Sequence, residues 1–252
     1  MKTILVTGGA SGIGLAISGL LLQLGNRVVL ADQSASNIAL AKQSLRAHSR
    51  QTHFAQLDVT QEDEIARLVA LQDTDDNPLF GVVNSAGIGA DVPFLETSTE
   101  VFKNILSVNL VGTFIVNRES AKRMVRRGHG SIVNIASVSG LVGNKGRSAY
   151  GASKAALVNL TQVMSNELAQ HGIRVNCVCP GPIMTPLAQR GHAVGGTAEI
   201  WKRAVPMKRY GEPGEVAGLV ALLLDDSQSS FITGQTISVD GGFIAAGLMQ
   251  EN

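Results

Sequence analysis

The sequence predicts an α/β fold, a single doubly wound domain with a seven-stranded parallel sheet and helices on both faces. Short β-branched runs alternate with longer segments of helical period along the chain, which is typical of a parallel sheet covered by helices. The strand-like runs are almost continuously apolar, as strands buried on both faces are. No shift in composition marks a domain boundary, so we assign all 252 residues to one domain.

Each element follows from its own pattern, taken in chain order. Apolar runs of four to eight residues predict strands at Lys2–Thr7, Arg27–Ala31, Thr52–Leu57, Phe80–Asn84, Ser131–Ala136, Ile173–Val178 and Thr236–Val239. The intervening segments of helical period predict helices at Gly12–Leu24, Ala35–Ala47, Glu62–Leu71, Thr99–Arg127, Tyr150–Gln170 and Glu215–Leu223. The polar stretch Asp73–Pro78 predicts a turn.

One stretch, Gly181–Pro206, shows neither pattern. A structureless segment of this length is unusual in a compact domain unless it is functional. We therefore expect a substrate lid at about 182–206. Arg190, His192, Lys202 and Arg203 lie in or beside it and could meet an anionic substrate, although exposure to solvent explains them as well.

Composition and charge exclude several classes of protein. Lysine and arginine total 21 against 20 aspartates and glutamates, so the net charge is +1. A general binder of nucleic acid needs a concentrated basic face, and none is expected here. The basic run from Arg118 to Arg127 is interpreted as a solvated helix end. The five histidines are scattered without ligand spacing, so no metal site is predicted.

The cysteines and the N-terminus bear on location. The only cysteines, Cys177 and Cys179, sit in a predicted strand, where we interpret them as small buried hydrophobes and expect no bridge between them. Absence of a disulfide framework fits a reducing compartment. No small-residue cleavage site follows the N-terminus, and no apolar run of about 20 residues is evident. A soluble cytoplasmic protein without a membrane partner is expected.

The first strand is followed by a glycine-rich loop, Thr7-Gly8-Gly9-Ala10-Ser11-Gly12-Ile13-Gly14. Glycines in this position allow a tight turn and let backbone N–H groups approach a pyrophosphate at a helix N-terminus. A purely structural turn is the alternative for an isolated motif. The context of a first strand before the loop and a helix after it favours dinucleotide binding.

Asp32 follows the second predicted strand, about 20 residues after the loop. A carboxylate there can accept hydrogen bonds from the adenosine ribose hydroxyls and would repel a 2′-phosphate. Neither the glycine loop nor the segment Ala31–Ser34 contains lysine or arginine. The sequence therefore predicts NAD rather than NADP. The alternative role for Asp32 is that of an ordinary N-cap of the next helix.

Tyr150 and Lys154 are four residues apart at the start of a predicted helix and so share one face. An ammonium beside a phenol stabilises the phenolate, which makes the pair a candidate acid–base site. A packed tyrosine beside a solvated lysine is the alternative, because the pattern alone is weak.

Six motifs, in order, resemble those of the short-chain dehydrogenase/reductase family, whose members have a Rossmann fold. They are the glycine loop with its unusual spacing, Asp58-Val59, Asn84-Ser85-Ala86-Gly87, Asn109, the set of Ser137, Tyr150 and Lys154, and Pro180-Gly181-Pro182-Ile183-Met184-Thr185. Ser85 departs from the family's second asparagine. The resemblance runs over nearly the whole chain.

The resemblance implies a role for each matching residue. Tyr150 would be the acid–base, Lys154 would support it and hold the nicotinamide ribose, Ser137 would bind the reacting oxygen, and Asn109 would hold a water linked to Lys154. The implied cofactor contacts are Gly8, Ser11, Gly12, Ile13, Gly14, Asp32, Asp58, Val59, Asn84, Ala86, Gly87, Tyr150, Lys154, Pro180, Gly181, Ile183 and Thr185.

The substrate follows less directly from the resemblance. Residues 143–150 resemble the corresponding run of 3-oxoacyl-carrier-protein reductases, with Arg147 in place of glutamine. Asp32 argues against NADPH, and the segments before the fifth and sixth predicted strands are not clearly basic enough to bind an acidic carrier protein. Both observations favour instead an NAD-dependent dehydrogenase of a small secondary alcohol or polyol. A non-catalytic dinucleotide sensor is a third reading. The resemblance also implies a homotetramer, with the apolar tail Phe243–Met249 at a subunit contact.

Overall fold

The strands form one parallel sheet that is wound in both directions from its centre. The computed structural model describes residues 1–186, 188 and 197–246. Its strands are β1 (Thr3–Thr7), β2 (Arg27–Asp32), β3 (Thr52–Gln56), β4 (Leu79–Asn84), β5 (Gly130–Ile135), β6 (Ile173–Pro180) and β7 (Thr236–Val239). Their order is β3-β2-β1-β4-β5-β6-β7, with every pairing parallel. The predicted fold class is confirmed, and a crevice opens where winding reverses between β1 and β4.

Helices cover both faces of this sheet. They are α1 (Gly12–Gln23), α2 (Ala35–Ser44), α3 (Glu62–Gln72), α4 (Thr99–Leu106), α5 (Thr113–Arg127), α6 (Ser148–Leu168), α7 (Thr197–Ala204), α8 (Pro213–Leu224) and the short α9 (Asp226–Ser229). Ile17 of α1 and Val220 of α8 belong to one buried apolar cluster, and Ile65 of α3 and Val116 of α5 belong to a second. The apolar strands divide the two clusters, as their pattern predicted.

The predicted continuous helix over Thr99–Arg127 is wrong in its middle. A π-helical segment, Ser107–Gly112, joins α4 to α5. The wider π turn interrupts the regular backbone ladder, and such insertions are frequent at functional sites. Asn109 lies within this segment and is fully buried.

The irregular stretch is also more regular than predicted. Residues 187 and 189–196 lie outside the described residues, and with them the predicted Arg190 and His192. Beyond them α7 carries Trp201 to the rim of the crevice. The ring of Phe243 lies 5.5 Å from the Trp201 ring of the same chain, and the predicted subunit contact of this residue stays a prediction. Residues 247–249 of that tail are not among the described ones.

The helical stretch Thr99–Arg127 is long and apolar enough to cross a membrane by length and composition, with a mean hydropathy of 1.2 over its most apolar window. This departs from the expectation of no such run. The observation is weak evidence for a span, because α5 packs its buried residues Ile115, Val116 and Met124 into the core beside the sheet. A core helix of a globular protein passes the same test of length and composition.

The two cysteines are free, fully buried and adjacent to Ala136 and Leu157 in a small apolar cluster. The predicted role as small hydrophobes without a bridge is confirmed. A hydrogen bond to Cys179, together with burial, raises the pKa of the Cys177 thiol far above its usual range. A thiolate there is therefore unfavourable.

The basic run at the end of α5 is largely ion-paired at the surface. Arg118 contacts Glu62 and Glu119, and the Nε atom of Arg127 lies 2.8 Å from Asp73. These pairs support the interpretation of a solvated helix end rather than a binding face.

Candidate active site

A cleft of about 980 Å³ lies at the carboxyl ends of the central strands. That volume is at the upper end of the range for small-molecule and cofactor sites. Most residues predicted to contact a cofactor line it, namely Gly8, Ser11, Gly12, Ile13, Asp32, Asp58, Val59, Ala86, Gly87, Tyr150, Lys154, Pro180, Gly181, Ile183 and Thr185, as does Ser137. The structure thus brings together segments from seven places in the sequence.

The glycine loop forms a cradle that a side chain would fill. Gly8 and Gly12 have positive φ angles of 61° and 51°, which glycine adopts without strain. A Cβ on Gly8 would lie 2.7 Å from the Cα of Ala86, and one on Gly14 would lie 2.2 Å from the carbonyl oxygen of Gly8. Gly14 does not line the cleft; it lets α1 pack directly under the loop.

The N-terminus of α1 opens onto this cradle. Its N-cap Ser11 makes no side-chain capping bond, and no acidic residue lies in the first turn. The first backbone N–H groups of a helix need an acceptor and carry partial positive charge. A pyrophosphate fits this arrangement, because the backbone donors and the space are both present.

The carboxylate of Asp32 is oriented at the end of β2. Its two oxygens accept hydrogen bonds from the N–H groups of Ala10, at 3.2 Å, and Ser34, at 2.9 Å. The N-cap of α2 is Ser34, whose hydroxyl accepts from the N–H of Asn37. The alternative that Asp32 is the N-cap is therefore wrong. A carboxylate held in this way keeps lone pairs for a further donor in the cleft.

Lys154 is a buried cation at the opposite half of the cleft. Its side chain is buried, and its Nζ donates to the carbonyl oxygen of Ile135 at 2.9 Å. Within the described part of the chain no carboxylate lies within 4 Å of Nζ. A buried ammonium with two donors left over calls for further partners, and the hydroxyls of a bound ribose would supply them. Gly87 leaves room for it, because a Cβ there would lie 3.5 Å from Nζ.

Tyr150 and Ser137 face the same space. Tyr150 is the third residue of α6, and its ring centroid lies 5.7 Å from the Nζ of Lys154. Ser137 follows β5, and its Oγ accepts a hydrogen bond from the N–H of Ser139. The hydroxyl hydrogen of Ser137 therefore remains available to an oxygen in the cleft.

Asn109 stands behind the cleft rather than in it. Its Oδ1 accepts from the N–H of Ile88 at 2.8 Å, and its Nδ2 donates to the carbonyl of Ile88 and to the Oγ of Ser153 at 2.9 and 3.0 Å. Ser153 in turn donates to the carbonyl of Tyr150 at 2.7 Å. Asn109 thus ties the loop after β4 to the first turn of α6. A water held beside Lys154 stays a prediction.

Replacing Asn109 with leucine is expected to lower the free energy of unfolding by about 3 kcal/mol, because this buried side chain loses three hydrogen bonds at about 1 kcal/mol each. Chemical denaturation measures this. Asn104→Leu is the matched control, since Asn104 is exposed on α4, and we expect its effect to stay below about 0.5 kcal/mol. Equal effects for the two variants would contradict the role.

Asn84 also lies away from the cleft. Its Nδ2 donates to the side-chain oxygens of Asn117 in α5 and Asn134 in β5, at 2.6 and 3.0 Å. A direct contact of this side chain with a cofactor stays a prediction that the geometry does not support. The sequence reasoning missed Asp91, Ser139, Ser153 and Trp201, although Ser153 lies inside the Tyr-x-x-x-Lys motif.

Comparison with known proteins agrees with this geometry. A family model described as enoyl-(acyl carrier protein) reductase, within the short-chain dehydrogenases, matches residues 8–244. The chain belongs to the short-chain dehydrogenase/reductase family. As in other members of this family, the cleft is suited to a nicotinamide dinucleotide and the protein is an oxidoreductase.

Relatives within the short-chain dehydrogenase/reductase family carry different activities in their names. The chain is 38% identical over 247 residues to a 2,5-dichloro-2,5-cyclohexadiene-1,4-diol dehydrogenase of Sphingobium indicum, covering 97% of both chains. It is 36% identical to the 3-oxoacyl-[acyl-carrier-protein] reductase FabG of Thermotoga maritima, covering 96% of this chain and 98% of the relative. The structure of ElxO with NADP bound superposes with a TM-score of 0.91, at 30% identity, covering 97% and 99% of the two chains.

Proposed function

We propose that this protein is an NAD-dependent dehydrogenase that interconverts a small secondary alcohol or polyol and its ketone. The observation that carries the proposal is that a carboxylate and an acid–base pair line the same cleft. Asp32 lies at the end proposed for the adenosine, and Tyr150 and Lys154 lie at the end proposed for the reaction.

The choice of NAD rests on charge. Among the described residues that line the cleft, the only cations are Arg147 and Lys154, both near Tyr150. A 2′-phosphate would therefore meet the Asp32 carboxylate with no compensating charge nearby, whereas ribose hydroxyls can donate to it. The relative solved with NADP marks the alternative that the experiments below must distinguish.

Tyr150, Lys154 and Ser137 have different roles in the proposed alcohol oxidation. Bound NAD supplies the acceptor for the hydride that leaves the carbinol carbon. Tyr150 takes the hydroxyl proton as the C–H bond breaks, so that two electrons and one proton leave as hydride and one proton stays with the enzyme. The charge of Lys154 stabilises the anionic oxygen of Tyr150, and the hydroxyl of Ser137 donates to the reacting oxygen. The reverse sequence reduces a ketone.

A 3-oxoacyl-carrier-protein reductase is the second candidate function. The 36% identity to FabG of Thermotoga maritima favours it. The charged pair of Arg147 and Asp91 in the cleft wall does not suit an apolar acyl chain. A non-catalytic sensor is the least supported reading, because the complete Tyr150, Lys154 and Ser137 set lines the cleft.

Nicotinamide absorbance with purified protein tests these functions together. We expect NAD reduction with secondary alcohols, diols or sugar alcohols, and none with Tyr150→Phe as the blank. Turnover of a 3-oxoacyl thioester alone, with NADH or NADPH, would replace the proposal with the acyl reductase function. Binding of NADH without turnover of any compound would favour the sensor.

We also propose a homotetramer, a cytoplasmic location and a lid at about 182–206. Exposed apolar side chains support further association, since Phe114 of α5 is 43% exposed and Phe231 is fully exposed. Static light scattering at micromolar protein is expected to give four times the chain mass of 26.4 kDa. A monomer mass would contradict the assembly.

A further inference from the structure

The cleft contains an ion pair that the catalytic set does not use. The Nε atom of Arg147 lies 2.5 Å from Oδ1 of Asp91, and both residues line the cleft. The two come from segments 56 positions apart in the chain, the loop after β4 and the turn before α6. The N–H of Val92 donates to the carbonyl oxygen of Gly146 at 3.0 Å, which holds these segments together.

This pair lies directly beside Tyr150. The guanidinium carbon of Arg147 is 5.3 Å from the centroid of the Tyr150 ring. Gly89 lies close to both side chains, since a Cβ there would lie 3.3 Å from Cδ2 of Tyr150 and 3.5 Å from Nη1 of Arg147. A substrate whose reacting carbon reaches Tyr150 therefore brings its neighbouring atoms to the pair.

The pair retains unused hydrogen-bonding capacity. Among the described residues, no acceptor is hydrogen-bonded to Nη1 or Nη2 of Arg147, although its side chain is only 20% exposed. The side chain of Asp91 is 50% exposed. The wall thus offers guanidinium donors and a carboxylate acceptor next to each other. Only a ligand with both donor and acceptor character satisfies both.

The charges of Arg147 and Asp91 further restrict the class of substrate that fits this site. Because Asp91 neutralises Arg147, a substrate carboxylate would place a second anion beside Asp91. An apolar chain would remove the pair from water without replacing its hydrogen bonds. A hydroxyl donates to Asp91 and accepts from Arg147, so it fits both groups without adding charge.

We propose that Arg147 and Asp91 form a specificity site for a neutral substrate that carries a second hydroxyl next to the reacting carbon. This inference rests on the proposed function and names the substrate class within it: a vicinal diol or polyol is preferred over the corresponding mono-alcohol. A site built to bind a hydroxyl discriminates strongly against the analogue that lacks it.

The test compares cyclohexane-1,2-diol, cyclohexanol and 3-hydroxybutyrate as substrates with NAD. We expect the wild-type kcat/KM to be at least tenfold higher for the diol than for cyclohexanol. Arg147→Met and Asp91→Ala are each expected to lower this ratio at least tenfold. Lys145→Met is the matched control, because Lys145 is an exposed cation two residues away that does not line the cleft, and we expect it to keep the wild-type ratio.

Each other outcome has a definite meaning. Equal rates with diol and cyclohexanol, or a ratio unchanged in both variants, would overturn the specificity site and leave the proposed function standing. A higher kcat/KM for 3-hydroxybutyrate than for the diol would overturn it too, by assigning Arg147 to a carboxylate. Absence of NAD reduction with every alcohol would overturn the proposed function itself and the inference with it. NADH binding, followed by energy transfer from Trp201, shows that each variant is folded.

Discussion

Tyr150→Phe is expected to lower kcat by about a thousandfold while the protein still binds NADH. The substitution removes only the hydroxyl that exchanges the proton with the substrate, and a positioned acid–base contributes roughly 10²–10⁴ in rate. The phenyl ring retains its place in the wall beside Arg147 and Lys154. The measurement is the rate of NADH formation at saturating alcohol.

The chain offers a matched control, because Tyr210 is its only other tyrosine. Tyr210 is buried and does not line the cleft, so Tyr210→Phe is expected to keep kcat within a few-fold. NADH binding is followed through Trp201, which is the single tryptophan and lines the cleft. Retained turnover in Tyr150→Phe would remove Tyr150 from the chemistry. Loss of NADH binding would instead show a structural role.

Asp32→Ala is expected to weaken NAD binding about 10- to 100-fold and to shift the cofactor preference toward NADP. Hydrogen bonds to a charged acceptor contribute about 1.5–3 kcal/mol each, and NAD loses them in the variant. The same change removes the negative charge that opposes a 2′-phosphate and frees the N–H of Ala10, which now donates to Oδ2 of Asp32. Dissociation constants for NAD and NADP, and kcat/KM with each, measure the shift.

Asp76→Ala is the control for the loss of one negative charge, since Asp76 is exposed in the turn before β4 and lies outside the cleft. We expect both dissociation constants to stay within twofold there. If Asp32→Ala keeps the wild-type NAD affinity and cofactor preference, the assignment of NAD from this carboxylate is wrong.

Much of the fold could be predicted because its signals are local. The apolar runs that became β1, β4 and β5 mark strands by composition, and the helical period marks α1 and α3. Bounds shift by one or two residues where an end depends on a cap, as at α8, which begins at Pro213 through a capping box of Glu212 and Glu215. The missed α7 is only eight residues long, which is too short for a helical period to stand out in a pattern of about 11 to 18 residues.

The residues of the candidate site also differ in whether local sequence motifs predict their positions. The glycine loop and the pair of Tyr150 and Lys154 are contiguous motifs whose geometry follows from one turn and one helix, so sequence reasoning could find them. Asn109 and Asn84 are side chains whose direction depends on the packing around them. Asn109 lies in a π-helical segment and hydrogen-bonds to Ile88, and Asn84 hydrogen-bonds to Asn117 of α5.

The amino-acid sequence alone predicted the α/β class, the glycine-rich loop, the acidic residue at the end of β2 and the Tyr150–Lys154 pair. Only the tertiary structure shows that Asp91 pairs with Arg147, that Asn109 hydrogen-bonds to both Ile88 and Ser153, and that Trp201 packs on Phe243. Patterns of period two or 3.6 report what neighbouring residues do on one element. Contacts between elements distant in the chain depend on strand order and on loop conformations, which no local pattern encodes.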